Sequence, residues 1–150
     1  MSYGKNAKTG KFKPRFPLKY KGKIQDITWR SSWELKFMNW ADSTTNVKYW
    51  HSEETVVPYI SPVDGQYHRY YIDFKVWIQK SDGSLDTYLV EIKPESMCIP
   101  PKKRKKTKAY IDEVMRYGVN QAKWESANKY ANSRGEKFIV LTEKHLGISR

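Results

Sequence analysis

The sequence has almost no cysteine: Cys98 stands alone among 150 residues. One thiol excludes an intrachain disulfide and points to a reducing compartment. His51, His68 and His145 are the only histidines and lie far apart, so a structural zinc site is excluded as well. Long apolar runs are missing too. The longest aliphatic stretch, Phe138 to Leu141, is far too short to span a bilayer, and no charged segment followed by an apolar one opens the chain. A soluble, intracellular protein is the expectation. Acids are scarce: 16 Asp and Glu stand against 28 Lys and Arg, giving a formal charge of +12 and a pI near 9.7. Such a surplus favours a polyanionic partner, with nucleic acid first.

The shortage of acids is sharpest at the start. Lys5, Lys8, Lys11, Lys13, Arg15, Lys19, Lys21 and Lys23 precede Asp26, the first acid. Residues 1–25 therefore read as a basic arm, lying either along a phosphate backbone or partner, or free as a solvated terminus. The remainder, 26–150, is the right length for one domain with its own core. No internal repeat or linker divides it.

Around the middle of the chain the pattern turns to strands. Tyr70 to Val76 and Leu89 to Lys93 each read as one, and Ser81-Asp82-Gly83-Ser84 supplies the Asp-Gly turn that joins such strands into a hairpin. Alternation places Tyr70, Ile72, Phe74 and Val76 on one face, with Tyr71, Asp73 and Lys75 on the other. Glu91 and Lys93 share a face by the same parity. A hairpin sets Asp73 beside Glu91, so two carboxylates and an ammonium converge. Magnesium is held by one or two carboxylates and leaves positions for water and a substrate phosphate, so the set suits a magnesium-dependent phosphodiesterase. Lys93 would orient water or stabilise charge developing at phosphorus. The competing reading is an exposed cross-strand ion pair.

Elsewhere the elements are shorter. Ser31-Ser32-Trp33-Glu34 opens a helix reaching about Ala41, and Ser31 with Glu34 forms a capping box. Glu34 is thus either a cap or an additional acid of the site. Val47 to Trp50 and Thr55 to Tyr59 are further strands, the second placed at an edge by Pro58. After Pro100-Pro101 come Lys102, Lys103, Arg104, Lys105, Lys106 and Lys108, six basic residues in seven, as a phosphate clamp or a solvated face. A helical pattern from Tyr110 to Arg134 follows, expected to break near Gly118, with Asn120 available as a cap and Gly135 as the stop. Gln121 and Lys123 read by default as part of a polar helix face, with facing the site as the alternative. Lys137 to Thr142 is a last, buried-type strand. The aromatic side chains read mainly as core, with stacking on bases as the alternative.

The order of Glu34, Asp73 and Glu91-Ile92-Lys93 resembles the PD-(D/E)XK nuclease superfamily over residues 29–142. Trp29 to Glu34, Tyr70 to Phe74 and Val90 to Pro94 are similar to the endonuclease subunit of heteromeric transposases. In length and running text the chain also resembles the head completion nucleases of large contractile-tailed bacteriophages. Ile72 stands where the motif's name has proline.

The resemblance implies an α/β fold, a mixed sheet flanked by helices. It implies Asp73, Glu91 and the Ile92 carbonyl as ligands of Mg2+, with Mn2+ able to substitute. Lys93 would be the catalytic lysine and Glu34 an accessory acid. DNA becomes the expected partner, gripped by Lys102 to Lys108 and by Lys11, Lys13 and Arg15. Action at the phage portal after packaging, beside other head-completion proteins, is the further expectation, in the host cytoplasm or at the head–tail junction. A non-catalytic DNA- or portal-binding protein and a basic RNA-binding module are the rival readings.

Overall fold

The computed structural model describes residues 9–147. Its elements run β1 (Gly10–Lys11), β2 (Thr28–Trp29), α1 (Ser32–Ser43), β3 (Val47–Ser52), β4 (Val56–Ile60), β5 (Tyr67–Tyr71), β6 (Phe74–Gln79), β7 (Leu85–Ile92), α2 (Lys108–Ser133) and β8 (Lys137–Leu141). A four-stranded sheet in the order β3-β6-β7-β8 is the centre, and β4-β5 and β1-β2 form separate two-stranded pairs. β3, β6 and β7 pair antiparallel, whereas β8 runs parallel to β7. The sheet is mixed because α2 carries the chain back to the end at which β7 begins before β8 starts, the crossover a parallel pair requires.

Two apolar clusters hold the layers together. On one face Phe74, Val76, Val90 and Ile92 pack with Phe37, Met38 and Ala41 of α1. On the other, Leu89 joins Tyr70, Ile72, Val57 and Tyr59, with Ala127 and Ala131 of α2. Small alanines let the helix approach the strands closely, and Gly135 at φ 71° ends it in the left-handed conformation that glycine adopts without strain.

Two expectations need correction. The strand read through Tyr70 to Val76 is broken at Ile72-Asp73. β5 pairs with β4, and β6 pairs with β3 and β7. The break resets the alternation: Tyr70 and Ile72 face α2, while Phe74 and Val76 face α1. α2, in turn, is one unbroken helix through Gly118. A glycine weakens a helix yet keeps its N–H, and here it also leaves room beside Pro62, 3.8 Å from where a Cβ would stand. Thr107 caps the helix by accepting from Tyr110 N at 3.2 Å, so Asn120 is a mid-helix residue and not a cap.

Lys5 and Lys8 of the basic arm lie outside the described residues. From residue 9 onward the arm is held against the domain: Phe12 and Tyr20 are buried beside Trp50. Lys19 Nζ donates to the carbonyls of Ala41, Asp42 and Thr44 at 2.7–2.8 Å, closing the C-terminal end of α1. Cations stabilise that end of a helix.

Candidate active site

The break before β6 is what brings the acids together. Extending the register of Phe74 with Val90 by one step sets Asp73 opposite Glu91. At the break the Asp73 carbonyl accepts from Glu53 N at 3.0 Å, and Ile72 N donates to the Thr55 carbonyl at 3.0 Å. Asp73 is 7% exposed, Glu91 2% and Lys93 3%. These side chains are therefore not an exposed ion pair. Asp73 Oδ2 accepts from the Ile92 backbone N–H at 2.8 Å, and the Asp73 and Glu91 carboxyls are hydrogen-bonded to each other. Tyr70, donating its hydroxyl to Glu91 Oε2, fixes the second acid.

Burial and the neighbouring Glu91 push the Asp73 carboxyl well above the usual carboxylate range. Two acids held this close with little water cannot both ionise cheaply unless a cation joins them. Burial lowers the Lys93 ammonium from its ordinary value, against the pull of Glu91 and Asp73, and Lys123 lowers it further. Burial also pushes the Tyr70 hydroxyl up, with Glu91 adding to the effect.

Glu34 reaches the same neighbourhood from α1. The Ser31 hydroxyl accepts from Glu34 N at 3.1 Å, which is the expected cap. The Glu34 carboxylate accepts from Ser31 Oγ and from Arg30 N, each at 3.3 Å. Its pKa is pushed up to about 7, first by burial and then by Asp73. The two readings of Glu34 are therefore compatible: its backbone N–H is capped by Ser31 while its carboxyl feels Asp73.

Asp73, Glu91 and Lys93 line a cavity of about 210 Å³ with Glu53, Arg69, Tyr70, Tyr71, Asn120 and Lys123. Lys123 lines it, the alternative to a plain polar helix face, whereas Gln121 is exposed and does not. His51 is buried among Thr55, Trp77 and Lys75, and burial holds its imidazole down at about 4. His68 pairs with Asp64 at the surface. Neither histidine lines the cavity. A separate cavity of about 370 Å³ under α1 is apolar, lined by Phe37, Trp40 and Leu141 among others, and holds none of the acids.

Tyr70, Asn120, Arg69 and Glu53 are site residues that sequence reasoning passed over. Arg69 and Tyr70 come from β5, and only the break brings that strand to the acids. Glu53 is ion-paired to Arg30 and has a left-handed backbone, φ 56°, unusual for a residue other than glycine. Lys102, Lys103, Arg104, Lys105 and Lys106 lie exposed in the loop before α2, and Lys108 begins the helix. Arg104 is tied to Glu113 at 2.7 Å. Lys11, Lys13 and Arg15 are also exposed, Lys11 Nζ donating to Thr28 Oγ1 at 3.1 Å.

The family model described as TnsA-like endonuclease N terminal matches residues 44–143, which contain the break, Asp73, Glu91 and Lys93. The chain belongs to the TnsA-like endonuclease family. It is also 36% identical over 145 residues to the protein named Head completion nuclease of Enterobacteria phage T4, covering 93% of this chain and 94% of that protein. No solved structure matches the chain. As a TnsA-like endonuclease domain the fold is of the PD-(D/E)XK type, and it accounts for the mixed sheet with α1 on one face and α2 on the other. Glu34, on α1, lies outside the matched residues and is tied to the site through Asp73.

Proposed function

We propose that this TnsA-like endonuclease is a magnesium-dependent deoxyribonuclease of phage head completion, cutting or trimming DNA at the portal after packaging. The observation that carries the chemistry is the buried Asp73–Glu91 carboxyl pair beside Lys93, at the wall of a cavity that Arg69 and Lys123 also line. The role in head completion rests on the likeness to the T4 protein of that name.

Among the described residues, no group of three or more His, Cys, Asp or Glu side chains is disposed to hold a metal ion. The donors are two carboxylates, Asp73 and Glu91, with the Ile92 carbonyl as a further ligand. That sparse oxygen set fits Mg2+, which keeps several waters and takes the remaining bonds from substrate phosphate. A bound Mg2+ would neutralise the two acids and activate water for attack on phosphorus.

The chain's own residues do the rest. Tyr70 and the Ile92 N–H hold the two carboxylates in place. Lys93 offers an ammonium to the charge that develops on the phosphate, and its lowered pKa makes proton exchange with the attacking water easier. Arg69 and Lys123 draw the phosphodiester in, and the Lys102 to Lys108 run, with Lys11, Lys13 and Arg15, supplies salt-sensitive affinity for the DNA backbone.

Incubating the protein with supercoiled and linear duplex DNA in magnesium, manganese and EDTA tests this, with Asp73→Ala and Lys93→Ala alongside. Metal-dependent cleavage lost in both variants is expected. Binding without cleavage under every metal condition would instead leave a DNA-holding head-completion protein.

A further inference from the structure

Asn120 lies in the middle of α2 and is 5% exposed, yet its Nδ2 has no hydrogen-bond partner among the described residues. Buried amide donors are nearly always paired, because an unpaired one carries its full desolvation penalty. Of the other buried polar atoms in that position, Trp50 Nε1 and His51 Nδ1 belong to residues that do not line the catalytic cavity, and Trp124 Nε1 lies beside the Tyr70 hydroxyl. Asn120 alone of these residues lines the cavity.

Asn120 also lines a second cavity, of about 270 Å³, between Ser96 to Pro101 and the first turns of α2. Arg104, Arg116 and Tyr117 are among its walls there, and Asn120 is the residue the two cavities share. One cavity holds the acids and Lys93. The other offers the Arg116 guanidinium, with Arg104 tied to Glu113 at 2.7 Å, beside Met97, Ile99 and Tyr117, a mixture suited to a sugar-phosphate and its base.

We propose that Asn120 Nδ2 donates a hydrogen bond to a non-bridging oxygen of the phosphate next to the scissile one, where a DNA strand passes from the catalytic cavity into the groove beside α2. This rests on the nuclease reading above and gives the strand its path. Phosphate oxygens only accept, which matches a donor left over in the protein. A neutral amide suits the position because another ammonium would face Lys93 and Lys123 at close range. Its contact is to the backbone, so it fixes register without reading sequence.

The test is fluorescence anisotropy of a labelled DNA duplex in EDTA across a salt series, with thermal unfolding of each protein. Asn120→Ala should weaken binding about tenfold. It should leave the slope of log affinity against log salt unchanged, because no charge is lost, and its melting temperature should be no lower than wild type. Arg116→Ala should reduce that slope by about one. Asn120→Asp keeps the shape, turns the donor into an anion and should bind more weakly than Asn120→Ala. Wild-type affinity in Asn120→Ala would overturn the proposal. So would lost affinity that tracks a lower melting temperature in both Asn120 variants, since that marks a structural role. Because binding is read without metal, the expected pattern in a protein that cleaves nothing would sink the nuclease reading and leave the Asn120 contact standing.

Discussion

β6 and β7 present two faces that are about equally buried and chemically unlike. Toward α1, Val90 is 1% exposed and Ile92 0%; toward α2, Glu91 is 2% exposed and Lys93 3%. The α1 face is apolar throughout, with the rings of Phe37 and Phe74 stacked at 4.4 Å. The α2 face is apolar at Leu89 and turns polar two residues later at Glu91. Toward the other end of the same face, Lys75 is ion-paired to Glu136 at 2.9 Å. Burial on the first face yields stability, because apolar area leaves water. On the second it costs stability, because charge loses its hydration, and the groups so held are the ones with reactive chemistry.

Removing one acid from the α2 face should produce the largest effect. Asp73→Asn should lower magnesium-dependent DNA cleavage about 10³-fold or more while retaining DNA binding, because it takes away one of the two carboxylates proposed to hold the metal. Its unfolding midpoint in EDTA should rise, as a buried carboxyl whose ionisation is opposed by Glu91 is gone. Cleavage at wild-type rate would remove Asp73 from the mechanism.

On the α1 face the signs reverse. Met38 is 0% exposed, and Met38→Ala should cost about 2–5 kcal/mol in denaturant unfolding. Cleavage by the protein that remains folded should stay near wild type at low temperature. A loss of cleavage beyond the folded fraction would show that the two faces are coupled.

Glu34 joins the faces and makes the comparison depend on pH. Its carboxyl moves from an ordinary 4.5 to about 7 in the fold. Between these values the folded state binds more protons than the unfolded one, so stability falls as pH rises through the window. Relative to wild type, Glu34→Gln should be nearly neutral at pH 4.5 and more stable above pH 7, by on the order of 3 kcal/mol. Urea titrations in EDTA at pH 4.5 and 8 measure the difference; an equal offset at both would show that Glu34 is not the titrating group. The smallest effect belongs to the exposed loop. Changing Lys102, Lys103, Lys105 and Lys106 to Gln should reduce the salt slope of DNA binding by up to about 3.6 without changing the melting temperature.

Much of this was legible in the chain. Ser31 and Glu34 mark the start of α1 by local chemistry, Asp82-Gly83 marks the β6–β7 turn, and Gly135 marks the end of α2. The spacing of Glu91 and Lys93 along one strand puts them on a shared face whatever surrounds them. The split of Tyr70 to Val76 was hidden, because Ile72 and Asp73 carry no turn signal and the strand changes partners through contacts with Thr55 and Glu53, well separated in sequence. Gly118 misled in the other direction, since its cost within a helix is small beside the packing that α2 gains.

The sequence by itself determined the residue types of the site, their order and the basic charge around them, because parity, capping and composition are local properties. Tertiary structure decided that these acids are buried and not solvated, that Tyr70 and Asn120 stand beside them, and that Glu34 both belongs to the capped turn of α1 and feels Asp73. Those outcomes depend on which distant elements meet. Desolvation, which sets the ionisation of Asp73, Glu34 and Lys93, exists only once β5, β7, α1 and α2 have closed around them.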